Sequence, residues 1–264
     1  MPDAAFYCPA AGSQTAPIFE PTVTTISTTC DHYVISRDSD TAMTECAGVG
    51  TKTLVEQATI EGALADAMLP APAITTADLQ QPRIVPEGDE VFVRRYDTAN
   101  PQLFFFDDYT RAGGGPWSFI ADVTFPITGA QKQDEISVPS RGATRRVIYT
   151  SYGATTSSLT ELEGSGGTWQ AVTGGVYTAS QLQMNVVRHA NLTADGLHLL
   201  VTGVSMQGAS GLFIADRRDT TMSFGTPVQI TSIIGNVTDA YLTEDCGVLY
   251  YAVGNTYGVF RAHQ

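Results

Sequence analysis

The chain has 264 residues, of which 43% are apolar and only 16% charged, with a formal net charge of −13 and a pI near 4.5. That length suits one large all-β domain or two small ones, and the abundance of Thr, Ser and Gly points to many short strands joined by polar turns. The acidic field repels phosphate backbones and anionic lipid surfaces, and no apolar run reaches the roughly 18 residues needed to cross a bilayer, so nucleic-acid binding and membrane insertion are both set aside.

Taken in chain order, the elements repeat. An apolar residue, a turn rich in Pro, Asp, Glu and Gly, and a returning apolar strand recur at five anchors, Ile26, Val85, Val138, Leu192 and Leu242. The intervals are about 59, 53, 54 and 50 residues, in the range of a four-stranded propeller blade. The opening Met1-Pro2-Asp3-Ala4-Ala5 reads as the start of a mature domain whose export signal has been removed. The first copy covers Ile26–Ile35, with Thr41–Cys46 as a weak third strand and Lys52–Glu56 as the fourth. Glu61–Met68 is Ala-rich with helical spacing and is stopped by prolines, which predicts a short helix between blades one and two. The second copy, Val85–Val93, leads to strands at Leu103–Phe106 and Phe119–Val123. The third, Val138–Gly142 and Val147–Thr150, leads to Ser158–Leu162 and Trp169–Val172.

The fourth copy is the clearest. Its turn at Ala194-Asp195-Gly196 sits between apolar runs, and Gly supplies at no steric cost the positive φ that a tight hairpin needs. Leu197–Val201 returns, then Leu212–Ala215 and Pro227–Ile230 follow. The fifth copy, Leu242–Tyr251, is followed by Tyr257–Arg261 and ends one strand short at Gln264. The missing strand is expected from residues 14–19, which precede copy one much as 224–230 precede copy five. Such a closure removes an exposed sheet edge. Gly113–Gly115 and Gly164–Gly167 read as hairpin tips. The expected fold is a single all-β domain, a five-bladed β-propeller closed by its N-terminal strand. Its blades lie at about 20–66, 80–124, 133–174, 186–231, and 236–264 plus 14–19.

These repeats resemble the TolB-like and WD40-like (PD40) propeller families. Leu192–Val201 with Leu212–Arg218 matches their pattern well, Leu242–Gly247 matches with one insertion, and Val85–Asp89 matches in part. The resemblance covers nearly the whole chain. It implies blade construction and carries no catalytic residues, because fold does not fix function.

Chemistry is expected at the central channel, which the first strand of each blade lines. Three residues before the anchors stand Val23, Pro82, Glu135, His189 and Asp239, and two before them stand Thr24, Arg83, Ile136, Ala190 and Ala240. Side chains alternate along a strand, so Glu135, His189 and Asp239 converge from three consecutive blades, joined by Arg83 if its blade is offset by one. This set admits three readings: a site for a divalent cation, an acid/base pair acting on a sugar or ester, or charges that neutralise one another in a water-filled channel. His32 and His198 are expected on second strands as half-buried packing residues, and His263 at a mobile end. Asp38–Thr41 lacks the Gly and distal Glu of a calcium loop and reads as a solvated hairpin. No zincin, phosphate-loop or nucleophile-elbow motif occurs. The Phe106–Tyr109 stretch, Trp117, Trp169, Tyr250, Tyr251 and Tyr257 are expected to fill the space between blades rather than to stack on sugars.

The four cysteines show no CxxC spacing, which argues against structural zinc. The ring topology predicts Cys8–Cys246 as a staple across the chain-end seam and Cys30–Cys46 within blade one. Two disulfides place the protein in an oxidising compartment, so export to a periplasm, cell surface or extracellular space is expected. The expected function is that of a monomeric binding or scaffold module for a protein, glycan or small molecule, with no cofactor beyond a divalent cation in the channel. The alternative is a hydrolase, or a metal-binding propeller, working through Glu135, His189 and Asp239.

Overall fold

A computed structural model describes Cys8, Ser13, and residues 15–20, 24–36, 41–47, 52–57, 65–66, 77–97, 104–123, 125–126, 135–152, 157–233, 235–243, 245–253 and 259–264. The described strands form five four-stranded antiparallel sheets, the blades of a β-propeller. Blade one holds β2 (Cys30–Ser36), β3 (Thr41–Ala47), β4 (Lys52–Gln57) and β5 (Ala65–Asp66). Blade two holds β6 (Ala77–Ile84), β7 (Glu90–Asp97), β8 (Phe104–Thr110) and β9 (Ser118–Val123). Blade three holds β10 (Glu135–Ile136), β11 (Arg145–Tyr152), β12 (Ser157–Ser165) and β13 (Thr168–Thr178). Blade four holds β14 (Met184–Leu192), β15 (His198–Ser205), β16 (Ser210–Asp216) and β17 (Val228–Gln229). Blade five holds β18 (Val237–Leu242), β19 (Val248–Val253), β20 (Val259–His263) and, from the other end of the chain, β1 (Thr24–Ser27).

The ring therefore closes with an N-terminal strand, but ten residues later in the chain than the repeat suggested. Thr24 pairs with Arg261 and Thr25 with Phe260. Residues 15–20 instead run as irregular chain over the seam. The Phe19 N–H donates to Ser232 Oγ at 3.0 Å, the Glu20 N–H donates to the His263 carbonyl at 2.7 Å, and the Phe19 ring is buried between blades four and five. The same shift moves blade one along by one strand. Its inner strand is β2 rather than the Ile26 segment, Thr41–Ala47 is its second strand, and Lys52–Gln57 its third. His32 accordingly lies on a first strand. The helix predicted over 61–68 is overturned at Ala65–Asp66, which pair with β4 as the outer strand, and the rest of that stretch lies outside the described residues. Polar Thr24-Thr25-Ile26-Ser27 reads weakly as a strand by itself. An outer edge asks little of its side chains, which is why the pattern failed to mark it.

The turns show why the repeat exists. Thr193 Oγ1 donates to Asp195 Oδ1 at 2.6 Å, Asp195 accepts the Leu197 N–H, and Thr193 Oγ1 accepts the His198 N–H at 3.1 Å. In blade five Thr243, Asp245, Gly247 and Val248 make the same bonds at 2.7, 3.1 and 3.0 Å. The two turns match residue for residue, with no insertion. Cys246 therefore stands where Gly196 stands, and both are left-handed, at φ 57° and 69°. A non-glycine residue there costs about 1–2 kcal/mol.

The core is a series of apolar layers between neighbouring blades. Trp169 joins Phe92, Phe106 and Tyr149 between blades two and three, and Trp117 packs with Val91 and Tyr109 on the side of blade one. Both tryptophans, with Tyr250 and Tyr251, are packing residues as expected, while Tyr257 lies outside the described residues. Gly113–Gly115 sit between the third and fourth strands of blade two, and Gly166–Gly167 between those of blade three, with Gly164 in the end of β12. Both expected disulfides are present, with Cα separations of 4.8 Å for Cys8–Cys246 and 3.9 Å for Cys30–Cys46. No helix of the described residues is long and apolar enough to cross a membrane.

Candidate functional site at the centre of the ring

The strand register fixes what faces the channel. Ile84 pairs with Val91, Leu192 with Leu199 and Leu242 with Leu249, so the equivalent anchor in blade two is Ile84, not Val85. Three residues before these positions lie Gln81, His189 and Asp239, with Glu135 at the same place on β10. The inner-strand pairing is interrupted at or beside this position in blades one, two, four and five. Gln81 and His189 adopt positive φ, 48° and 40°, at these bulges. Left-handed backbone at non-glycine residues is uncommon and gathers at functional sites.

The four residues singled out from sequence come together as two pairs. Glu135 Oε2 lies 2.9 Å from His189 Nδ1, and Glu135 Oε1 accepts from Gln81 Nε2 at 3.1 Å. Gln81 is itself held: its N–H donates to Glu45 Oε2 at 2.9 Å, and its Oε1 accepts from Arg94 Nη1 at 3.3 Å. In the second pair, Arg83 Nη2 stands 3.8 Å from Asp239 Oδ2. Arg83 belongs to the next register position, yet its side chain crosses the centre from blade two to blade five. On the way it donates through Nε to the Ile136 carbonyl at 2.8 Å. Asn191 Nδ2 donates to Asp239 Oδ1 at 3.2 Å and to the Ala240 carbonyl at 2.7 Å, while its Oδ1 accepts the Val138 N–H.

Arg83, Gln81, Glu135, Asn191 and Asp239 are all buried. The partly open member is His189, whose side chain is 22% exposed against 7% for Glu135. A carboxylate only accepts, so the imidazole presents Nδ1–H to Glu135 and Nε2 remains as the second polar atom of the ring. The centre is thus a polar plug, with one histidine oriented by a buried carboxylate at its surface. Sequence reading missed Gln81, Asn191, Glu45 and Arg94. A one-residue error of register in blade two hid Gln81. Asn191 belongs to the Asn-Leu-Thr turn that opens the repeat, so its contacts across three blades are invisible without the closed ring.

Of the other histidines, His198 is fully buried on β15 rather than half-buried, with Nδ1 3.8 Å from Asp195 Oδ2, and His263 is exposed. A small cavity between blades one and five is lined by Asp239, Tyr33, Tyr241, Tyr250 and Tyr251. A wider cleft of about 410 Å³ opens at the rim of blades one and two, where Arg111 is stacked on Trp117 at 4.3 Å and tied to Glu56.

The Phe106–Tyr109 stretch faces inward: Asp107, Asp108 and Tyr109 are fully buried. Arg95 Nε donates to Asp107 at 2.7 Å and Nη2 to Asp122 at 2.9 Å. Burial raises Asp107 to about 6, opposed by Arg95. Burial and then the neighbouring Glu90 carboxyl raise Asp108 to about 7, opposed by Arg145, which also pairs with Glu90 at 3.0 Å. Groups whose folded value is raised stabilise the fold fully below their ordinary value, here 3.8, and lose that contribution as pH rises through about 6 to 7. Chemical denaturation followed by circular dichroism should therefore give a larger unfolding free energy at pH 5 than at pH 8, by on the order of 4 kcal/mol. Asp108→Asn should remove more than half of that dependence, and an unchanged profile in the variant would refute the assignment.

No protein-family model matches the chain, and no curated protein sequence matches it. Solved structures do resemble it in shape. A candidate glycoside hydrolase from Parabacteroides distasonis aligns with a TM-score of 0.58 at 11% identity, over 99% of this chain and 98% of that one. TolB from Acinetobacter baumannii aligns with a TM-score of 0.47 at 10% identity over 92% of this chain, which spans about half, 54%, of TolB. A gluconolactonase from Xanthomonas campestris gives 0.47 at 8% identity, over 91% and 88%. At such identities the likeness speaks for the propeller fold alone.

Proposed function

We propose that the protein is an exported propeller that binds a hydroxyl-rich ligand, such as a glycan residue, at the channel mouth over His189. The observation that carries this reading is the Glu135–His189 pair: a buried carboxylate fixes the ring of a partly exposed histidine. The partly exposed ring lies at the surface of the plug, where a ligand hydroxyl, which can donate or accept, can approach it. The surrounding Glu135, Asp239 and the net charge of −13 disfavour anionic ligands. Two disulfides support export, since such bonds persist in oxidising compartments. The matched hydrogen bonds of the Thr193 and Thr243 turns support membership of the TolB-like repeat class, and the packed ring supports a monomer. The one-carboxylate, one-imidazole arrangement also suits acid/base work, which keeps a hydrolase as the second reading.

The test is a thermal-shift screen against a glycan and polyol panel, with chromogenic glycosides, esters and lactones assayed in parallel. A ligand that binds the folded state raises the unfolding midpoint. His189→Ala should abolish that rise; it also takes a partner from the buried Glu135, at a cost of about 1–3 kcal/mol, so the ligand-induced rise is read against the variant's own ligand-free midpoint. A shift that survives His189→Ala sinks the site. Turnover lost in both His189→Ala and Glu135→Gln would favour the hydrolase.

A further inference from the structure

We propose that the seam between blades four and five is a soft-metal site in the dithiol state of the protein. Cys8, Cys246 and His198 bring two sulfurs and an imidazole nitrogen within 4.8 Å of one another. The two sulfurs are bonded to each other here. Once that bond is reduced they become two thiols facing a histidine that is already in place. Zinc sits about 2.3 Å from thiolate sulfur and about 2.0–2.1 Å from imidazole nitrogen, which sets ligand atoms of a tetrahedral shell roughly 3.3–3.8 Å apart. Around an ion the two sulfurs, now bonded to each other, would separate, and the imidazole nitrogen would draw in by up to about 1 Å.

The surroundings suit the chemistry. Cys246 and His198 are buried and Cys8 is half-buried, so the ion would be shielded but reachable from one side. Asp195 Oδ2 stands 3.8 Å from His198 Nδ1, close enough to orient the ring or to supply an oxygen as the fourth ligand. Asp195 is itself fixed through its other oxygen by Thr193 and the Leu197 N–H. Binding is balanced as two Cys-SH plus M²⁺ giving the dithiolate complex and two protons, after a dithiol or phosphine reductant has opened the disulfide. The ion would then hold the N-terminal arm to blade five in place of the sulfur–sulfur bond. The site escapes spacing rules because its cysteines are 238 residues apart and meet only when the ring closes.

The test uses the Cys30→Ser/Cys46→Ser chain, so that only the seam thiols remain. Reduced with a phosphine under argon, it is titrated with Co²⁺ and then Zn²⁺. The expected result is one Co²⁺ per chain with the intense visible bands of a tetrahedral thiolate site, displaced by Zn²⁺, and a raised unfolding midpoint in either metal. His198→Ala should weaken binding at least about 100-fold, more than loss of an outer-shell partner does. Cys8→Ser should abolish the thiolate bands. Weak octahedral cobalt only, binding undiminished in His198→Ala, or a reduced chain that stays unfolded in excess metal would each overturn the proposal.

Discussion

Replacing Glu161 with alanine should destabilise the protein by about 3–5 kcal/mol, one of the two largest single-residue effects expected. Glu161 lies at the junction of blades three and four, and its side chain is 1% exposed. Arg217 grips it with two nitrogens, Nη1 to Oε2 at 2.9 Å and Nη2 to Oε1 at 2.8 Å. Arg146 Nη1 adds a third bond at 2.8 Å, and Tyr177 Oη a fourth at 3.3 Å. Burial works to raise the Glu161 carboxyl, but the two arginines outweigh it and hold it below its ordinary value. Arg217 is buried completely, stacked on Phe224 at 4.2 Å. Without Glu161 its charge is left without compensation in a dry layer. Chemical denaturation should register the loss as an earlier midpoint with an unchanged slope. Glu161→Leu combined with Arg217→Met should recover much of it, because removing both charges removes the desolvation penalty. Glu163→Gln is the control: Glu163 is partly exposed and 3.5 Å from Arg146, so it should cost less than about 1 kcal/mol. A small effect for Glu161→Ala would mean that water reaches this junction.

Opening the seam should be nearly as costly. The Cys8–Cys246 bridge encloses 238 residues and stabilises the fold by about 4–5 kcal/mol if it acts mainly on the unfolded chain. Cys8→Ser should therefore lower the unfolding midpoint by roughly 10 °C in metal-free buffer. Cys246→Gly separates two contributions. It breaks the same bridge but relieves the left-handed strain at φ 57°, so it should be milder than Cys8→Ser by about 1 kcal/mol. Equal losses would show that the strain is absorbed elsewhere. Removing the Cys30–Cys46 bridge, which spans 16 residues within one hairpin, should cost less, about 3 kcal/mol.

Much of this architecture was legible from residues alone. The Asp-Gly and Asp-Cys turns needed specific backbone chemistry, so blades four and five announced themselves. Their regular spacing then implied the ring, and the ring implied which cysteines would meet. Blade one failed for a physical reason. Its outer strand, Ala65–Asp66, and the closing strand, Thr24–Ser27, are short edges, so neither carries an apolar alternation long enough to mark it. The anchor at Ile26 therefore fell on the wrong side of the seam. The site was half legible. Glu135, His189 and Asp239 stood at a common register, but Gln81 was displaced by one residue in blade two. The reach of Arg83 across the centre depends on a closed ring, which no local pattern encodes.

The late completion of blade five bears on how the molecule is made. Among the described strands, Thr24–Ser27 is made first and its partner Val259–His263 last. During synthesis this segment waits without its mate, and its polar Thr24, Thr25 and Ser27 make it a poor template for other nascent chains in the interval. Weak strand propensity at this one place, which misled the reading of the sequence, protects an unfinished polypeptide until the partner strand arrives.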